Sequence, residues 1–218
     1  MPDAATFLSQ LETLYSAVVA DVLDGLGYRQ QTLAAHIRPL TPTKRLAGVV
    51  FPARAIAVTA IPEKPYELEI GAVEAMTRGD VLVVEAGDDR SCGFWGELLT
   101  TACLYKGVRG VVMTACTRDM WKIADLQFPI FGIGYHPADS KGRADIVEIG
   151  NPIEIGGVRC SRGDLILGDE DGIVVIPQAI ADEAIRLATE KMNGENLVRE
   201  DLARGMSIGE AFRKHQIL

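Results

Sequence analysis

An arginine and an aspartate, Arg118 and Asp119, stand side by side where the apolar run GVVMTACT ends. Neighbouring opposite charges at the end of a strand usually form only an ion pair on a solvated turn. Glu97, however, precedes the pair by twenty intervening residues, roughly one helix plus one strand. That span returns the chain to the same end of a sheet, so two carboxylates and a guanidinium can share one pocket. Carboxylate oxygens suit Mg²⁺ or Mn²⁺, and a guanidinium binds carboxylate or keto oxygens through its planar fork.

The segment that contains these residues predicts a parallel strand–helix–strand unit. Residues 81–86 (VLVVEA) and 110–115 (GVVMTA) have the pattern of short buried strands, and residues 94–107 have that of a helix. Such a unit makes a right-handed crossover, and ligands of open α/β sheets bind beyond the carboxyl ends of the strands. The start of the helix near Gly96 offers unpaired backbone N–H groups to a carboxylate. Gly93 and Gly96 allow a ligand to approach the backbone closely.

The remaining chain predicts one α/β domain with helices at both ends. Apolar residues at spacings of three and four predict a helix over 8–26, and Pro52 indicates an edge or a bulge in the β-rich segment 46–61. Further predicted elements are a helix over 65–76, short strands after Phe128, and helices over 179–203 and 208–214. RGDVLVVEAG and RGDLILGDEDG are either a duplicated strand unit or two ordinary turns that lead into strands.

Composition excludes several classes of partner. The net charge of the 218 residues is −8 and the pI is about 5.0, so no basic stripe exists that would bind nucleic acid. No segment approaches the length of a membrane span, and the acidic first residues are not those of a signal peptide. The four cysteines have no CxxC spacing, which predicts reduced thiols in a cytoplasmic protein and no zinc site. An acidic surface could still bind a basic protein.

The stretch WGELLTTACLYKGVRGVVMTACTRD resembles the family that contains the 4-hydroxy-4-methyl-2-oxoglutarate aldolases and the regulator of ribonuclease activity A. The hallmark of that family is an acidic residue, twenty others and then Arg-Asp, and the likeness extends from about Ala17 to the last helix. The resemblance implies a single domain over 1–218, with a C-terminal helical extension over 178–218. It also implies a β/β/α swivelling-type sandwich that assembles as homotrimers or homohexamers with sites between subunits.

The activity that the resemblance implies is that of a metal-dependent, class II type pyruvate aldolase that also decarboxylates oxaloacetate. Asp119 would hold Mg²⁺ or Mn²⁺ directly, Arg118 would contact the pyruvyl oxygens, and Glu97 would act on water at the metal. The substrate carboxylate would be received by the backbone of four consecutive residues, Gly96, Glu97, Leu98 and Leu99. The glutamate at position 97 departs from the aspartate that is common in the aldolases. Its longer side chain could coordinate the metal directly or hold the water differently.

Several residues could act at a boundary between subunits. In some members of the family a glutamate from the C-terminal helix of a second subunit assists the reaction, and here Glu195 and Glu200 are the candidates. Trp95 and Trp121 flank the predicted pocket, where each could close over a substrate or pack in a subunit interface.

Two other catalytic groups fit the sequence less well. A Schiff-base aldolase needs a lysine in apolar surroundings, but Lys106 and Lys122 lie near helix ends among polar residues. A thiol nucleophile at Cys92 with His136 as its base would need two distant residues to meet, and a buried, inert thiol is the commoner state. The rival to the enzyme is a non-catalytic regulator that uses its acidic surface to bind a basic protein.

Overall fold

The computed structural model describes residues 4–217, and residues 1–3 and Leu218 of the predicted domain 1–218 lie outside them. Its centre is the predicted strand–helix–strand unit, formed by β3 (Asp80–Trp95), α4 (Glu97–Lys106) and β4 (Gly110–Thr117). The two strands are parallel, with Val81 opposite Gly110 and Val84 opposite Met113. Both are buried where they pair, as their continuous apolar sequence predicts.

Strand β3 is much longer than the predicted 81–86, and α4 begins at Glu97 rather than at residue 94. After Val84 the strand stays beside β4 through three register shifts, and Asp88 adopts a positive φ of 58° in this stretch. Trp95 is completely buried and its indole N–H donates to the hydroxyl of Thr100 at 2.9 Å. The aromatic residues before Gly96 therefore belong to the sheet and its core, which the helical periodicity of the segment concealed.

A nine-stranded mixed sheet surrounds this unit. Its other strands are β1 (Arg38–Pro39), β2 (Leu46–Ala57), β5 (Ile130–Gly132), β6 (Gly134–Tyr135), β7 (Ala144–Ile149), β10 (Leu165–Gly168) and β11 (Ile173–Ile176). The strand order is β1-β5-β4-β3-β2-β10-β11, with β6 beside β4 and β7 beside β2. A separate hairpin joins β8 (Ile153–Ile155) to β9 (Val158–Cys160). The short strands predicted after Phe128 are thus confirmed.

Pro52 lies in an interior strand, so of the predicted edge or bulge the edge is wrong, and β2 has a register shift close by, between Arg54 and Ala55. On the side away from β3, strand β2 pairs with β10 as far as Val49 and with β7 from Ala53 onward. Pro52 falls between the two partners, and its carbonyl accepts from the N–H of Gly150 at 2.8 Å. The missing N–H of proline is tolerated at this change of partner.

Two helices, α1 (Ala4–Leu11) and α2 (Ser16–Gly25), replace the single helix predicted over 8–26. The carboxylate of Asp169 accepts from the backbone N–H of Ser16 at 2.7 Å and from its hydroxyl at 2.6 Å. This carboxylate supplies the cap that starts α2, and it comes from a residue too distant in sequence for local periodicity to reveal. Leu11 and Leu14, on either side of the break, are both fully buried.

The C-terminal helices follow the prediction closely. They are α6 (Ala181–Ala203), preceded by a short 3-10 helix at Gln178–Ile180, and α7 (Ile208–His215). Apolar residues of α6 join those of α2 and of β10 and β11 in one core cluster, so a helical layer covers this face of the sheet. The mixed α/β class with helical termini is confirmed. Within residues 4–217 no helix has both the length and the apolar character needed to cross a bilayer.

The two RGD segments form the same turn. Asp80 accepts from the N–H of Thr77 at 2.8 Å, and Asp164 accepts from the N–H of Ser161 at 2.8 Å. The preceding glycines, at positions 79 and 163, both have φ of 94°. Both aspartates are buried, and Asp80 also accepts from the Arg162 guanidinium at 3.0 Å. The repeated tripeptide therefore builds two equivalent turns that begin strands.

We expect Asp80→Ala to lower the free energy of unfolding by about 1–2 kcal/mol, because it leaves the part-buried N–H of Thr77 and the guanidinium of Arg162 without this acceptor. Asp164→Ala is expected to cost a similar amount, since the N–H of Gln178 also donates to Asp164 at 2.9 Å. Urea denaturation measures both losses. The exposed Asp125 serves as a control, with an expected change within about 0.5 kcal/mol. A loss that small for Asp80→Ala would show that the turn does not depend on this carboxylate.

Candidate active site at the ends of β3 and β4

Two neighbouring turns meet at the carboxyl ends of β3 and β4. The carbonyl of Trp95 accepts from the backbone N–H of Arg118 at 2.8 Å and from the Thr117 hydroxyl at 2.9 Å. The backbone N–H of Glu97 donates to Oδ2 of Asp119 at 3.2 Å. Asp119 has a left-handed backbone with φ of 60° and comes directly before the short helix α5 (Met120–Ile123). The structure thus brings Glu97, Arg118 and Asp119 together as the sequence predicts.

Arg118 is held by a third carboxylate that the sequence analysis missed. Its Nη1 lies 3.1 Å from Oδ1 of Asp139, and its Nε lies 3.6 Å from Oδ2 of Asp119. The hydroxyl of Tyr66 donates to the other oxygen of Asp139. Asp139 belongs to the loop between β6 and β7, which is fastened to β3 by the bond from Gly93 N–H to the carbonyl of Ala138 at 2.8 Å. No spacing in the sequence pointed to this loop.

The two glycines of the site make room for protein atoms, whereas the sequence predicts that they make room for a ligand. A methyl group at Gly93 would lie 2.2 Å from the carbonyl oxygen of His136 and 2.7 Å from Cβ of Arg118. At Gly96 it would lie 2.8 Å from Oδ2 of Asp119. Glycine is needed here because Arg118 and Asp119 pack directly against the backbone of β3 and of the start of α4.

The first turn of α4 presents backbone donors. The helix has no side-chain cap, and its first internal bond runs from Thr100 N–H to the Gly96 carbonyl at 3.2 Å. The N–H groups of Leu98 and Leu99 have no acceptor among residues 4–217, so they can bind an anion at the positive end of the helix.

The carboxylate of Glu97 contacts Thr101 on its own helix and lies near Lys122. Its Oε1 accepts from Thr101 at 3.1 Å, and its Oε2 lies 4.0 Å from Nζ of Lys122. The backbone of Glu97, not its carboxylate, makes the bond to Asp119.

A cavity of about 430 Å³ joins these groups to helix α3 (Glu67–Ala75). It is lined at one end by residues 96–99, Arg118 and Asp119, and on the α3 side by Tyr66, Glu69 and Ile70. Glu69 is only 6% exposed. Burial, helped by the charges of Asp139 and Asp145 and opposed by that of Arg118, raises the pKa of Glu69 from 4.5 to about 7. Burial and the bond to Asp139 raise the pKa of Tyr66 to about 12.

The donor set of the cavity fits a hard divalent cation. Four carboxyl groups, those of Glu69, Glu97, Asp119 and Asp139, line it together with the single guanidinium of Arg118, which leaves an excess of negative charge. Oδ1 of Asp119 has no hydrogen-bond partner in the described part of the chain, and this side chain is 40% exposed. No group of three or more His, Cys, Asp or Glu side chains within residues 4–217 could enclose a metal. Mg²⁺ commonly binds to one or two carboxylates and keeps its other positions for water and substrate.

The Cys92 thiol and the two candidate lysines lack the surroundings that a nucleophile or a Schiff-base lysine needs. Burial raises the pKa of the Cys92 thiol to about 11, so it stays protonated at neutral pH, and all four cysteines are buried free thiols. Nζ of Lys106 is bound to the carbonyl of Glu74 on the surface, and the Lys122 side chain is half exposed.

The tryptophans and the C-terminal glutamates occupy different environments. Trp95 is wholly buried within its own chain, so both roles predicted for it are wrong, whereas Trp121 is 77% exposed. Glu195 accepts from the hydroxyl of Tyr15, and Glu200 pairs with Arg204 on the exposed side of α6. A role for Glu195 or Glu200 in a neighbouring subunit stays a prediction.

The buried carboxyl of Glu69 makes stability depend on pH. Between pH 4.5 and about 7 the folded protein keeps a proton that the unfolded chain releases, so stability falls as the pH rises through this range. Glu69→Gln carries no charge and avoids this loss. Its stability relative to the wild type should therefore be greater at pH 8 than at pH 5, by on the order of 3 kcal/mol. Urea denaturation at both pH values tests this, with the exposed Glu74→Gln on the same helix as the control. Equal responses of the two variants would contradict it.

Comparisons with known proteins agree with this architecture. The model of the RraA-like family, described as aldolase/RraA, matches residues 16–175. A Halalkalibacterium halodurans protein named "Putative 4-hydroxy-4-methyl-2-oxoglutarate aldolase" is 32% identical over 185 residues, which cover 85% of this chain and 83% of that protein. Protein DlpA of Legionella pneumophila is 27% identical over 206 residues, which cover 94% of this chain but only 33% of DlpA.

Solved structures give the same result. The crystal structure of RraAS2 of Streptomyces coelicolor, described as an unusual member of the RNase ES inhibitor RraA protein family, superposes with a TM-score of 0.83. It is 27% identical, and the match covers 92% of this chain and 99% of that one. The family match over most of the chain and the shared fold together establish that this protein belongs to the RraA-like (aldolase/RraA) family.

Proposed function

We propose that this protein is a divalent-metal-dependent lyase that cleaves 4-hydroxy-4-methyl-2-oxoglutarate, or a related 4-hydroxy-2-oxo acid, to release pyruvate, and that it also decarboxylates oxaloacetate. One observation carries the proposal. Arg118, Asp119 and the free N–H groups at the start of α4 line one end of one cavity. The name of the Halalkalibacterium halodurans relative supports the choice of substrate.

The proposed roles follow from the chemistry of each group. The N–H groups of Leu98 and Leu99 bind the carboxylate of the 2-oxo acid. The guanidinium of Arg118 donates to its oxygens and stabilises negative charge as the carbon–carbon bond breaks. Asp119 would hold Mg²⁺ or Mn²⁺, which would supply Lewis-acid stabilisation worth several kcal/mol.

The remaining polar groups either hold Arg118 in position or take part in proton transfer. Asp139, itself bonded to Tyr66, fixes the guanidinium of Arg118 through its 3.1 Å contact. The carboxylate of Glu97, in the first turn of α4, would orient a water that returns a proton to the pyruvate carbon. The same groups serve both reactions, because cleavage and decarboxylation each leave the enolate of pyruvate.

The direct test follows pyruvate through lactate dehydrogenase. The purified protein is incubated with 4-hydroxy-4-methyl-2-oxoglutarate or with oxaloacetate, with Mg²⁺ or with a chelator. We expect pyruvate from both compounds only when the cation is present. Pyruvate formation that is unaffected by the chelator would remove the metal from the proposal. The absence of turnover with both compounds would overturn the proposal itself.

We expect Asp119→Ala to reduce both activities at least about 100-fold, because it removes the proposed metal ligand. The melting temperature should change by only a few degrees, since the side chain is partly exposed and makes one backbone hydrogen bond. Calorimetric titration with Mn²⁺ should show weaker binding to the variant, and Asp125→Ala should behave as the wild type. A large loss of stability would show that Asp119 is a structural residue.

We also propose that the protein assembles as a homotrimer or homohexamer. Leu98, Tyr105 and Trp121 are 79%, 93% and 77% exposed on and beside α4. Leu98 also lines the cavity, and exposed apolar side chains of this kind are commonly covered by another chain. Light scattering of the wild type should report three or six chains, and Tyr105→Ser with Trp121→Ser should shift the mass downward. A wild-type monomer at micromolar concentration would contradict this assembly.

The competing function is that of a regulator that binds a basic protein. The likeness to the Streptomyces coelicolor RNase inhibitor family member and the net charge of −8 favour it. The two functions are separated by the pyruvate assay, because a regulator without catalysis releases none.

A further inference from the structure

Glu69 is the one carboxyl group of the cavity that the proposed roles do not use. It lies on α3 and lines the same cavity as the α4 donors and Asp119. Its side chain has no hydrogen-bond or ion-pair partner among residues 4–217. An unpartnered carboxyl costs free energy when it is removed from water, so its position in the cavity wall calls for an explanation other than stability.

The other polar groups of the cavity are already engaged. Asp139 is held by Arg118 and Tyr66. Asp119 accepts from the backbone of Glu97, and the Glu97 carboxylate accepts from Thr101. The hydroxyl of Tyr66 has its pKa raised to about 12, which makes it a poor partner for proton transfer at neutral pH. Glu69 alone is buried, faces the cavity and is free to exchange a proton.

The charges that act on Glu69 come from β7, from the loop before it and from the residue that follows β4. Asp139 precedes β7 and Asp145 lies within it, and both disfavour ionisation of Glu69. Arg118, after β4, favours ionisation but does not outweigh burial. The pKa of Glu69 therefore lies near physiological pH, at about 7, which suits a general base.

The reacting hydroxyl of a bound substrate would lie in the same cavity as Glu69. With the 2-oxo acid end bound by α4, Arg118 and Asp119, the rest of the substrate would lie against the other residues that line the same cavity, which include Tyr66, Glu69 and Ile70. Aldol cleavage requires a base, because the C4 hydroxyl must lose its proton while the C3–C4 bond breaks. Decarboxylation of oxaloacetate has no such hydroxyl.

We infer that Glu69 is the general base that removes the proton from the C4 hydroxyl of the substrate, an inference that rests on the proposed lyase function. The carboxylate takes the proton, the O–H electron pair forms the new carbonyl at C4, and the C3–C4 electrons pass into the enolate of pyruvate. One proton returns from water to C3, and Glu69 releases its own proton to water. Atoms and charges balance without an added reactant.

The test compares two reactions in the same variants. Glu69→Gln has nearly the same shape, and we expect it to lose 4-hydroxy-4-methyl-2-oxoglutarate cleavage by about 100-fold or more. Oxaloacetate decarboxylation should stay within about threefold of the wild type, and Glu69→Asp should recover part of the cleavage. Glu74→Gln, an exposed change on the same helix, should leave both reactions unaltered.

The pH profile supplies a second readout that a purely structural role would not move. Wild-type kcat/KM for cleavage should rise with pH to a plateau, with an apparent pKa near the value of about 7 for Glu69, while Glu69→Gln lacks this rise. Cleavage that survives in Glu69→Gln, or an equal loss of both reactions, overturns the assignment. A wild type that decarboxylates but does not cleave also overturns it while leaving the metal-dependent lyase intact. A wild type that does neither removes the proposed function together with this inference.

Discussion

The carbonyl of Trp95 ties the ends of two parallel strands together, and the arrangement of the site depends on that contact. It accepts from the N–H of Arg118 and from the hydroxyl of Thr117. The end of β4 is thereby held against the end of β3, with only Gly96 between that strand and the start of α4. The N–H of Glu97 can then reach Asp119 at 3.2 Å. Hydrogen bonds therefore hold the end of β4 against the end of β3 and the start of α4. As a result, one corner of the site contains the N-terminus of α4, the guanidinium of Arg118 and the carboxylate of Asp119.

Close packing at the backbone sets the geometry of this corner. Gly93 and Gly96 leave no room for a side chain, because Arg118, Asp119 and the carbonyl of His136 occupy the space that a methyl group would need. Asp139 then holds the far end of Arg118. A guanidinium fixed in this way offers its remaining donors in a set direction, which is the preorganisation that stabilises developing negative charge.

Electrostatics explain why the cavity suits a cation and a proton-transfer group at once. Four carboxyl groups surround one arginine, and part of that excess is relieved because Glu69 holds its proton up to a pKa of about 7. A divalent cation beside Asp119 would offset the rest. In the proposed function the groups near the start of α4 would bind the anionic substrate and the cation, and α3 contributes a buried carboxyl whose pKa is raised to about 7. The two ends of the cavity can therefore serve different parts of one substrate.

Local sequence determined the strand–helix–strand unit, the helical ends and the meeting of Glu97, Arg118 and Asp119. Apolar periodicity and the twenty-residue spacing both describe a single strand–helix–strand crossover. The handedness of such a crossover, and the end of the sheet to which it returns the chain, are constrained by chain connectivity. Tertiary structure alone decided the remainder. Three features depend on partners that are distant in sequence. They are the continuation of β3 through bulges to Trp95, the break between α1 and α2 that Asp169 caps, and the position of Pro52 within β2. Asp139 and Glu69 join the cavity from a loop and a helix that folding brings to the sheet. Their protonation and pairing arise from burial and neighbouring charge, which no spacing along the chain encodes.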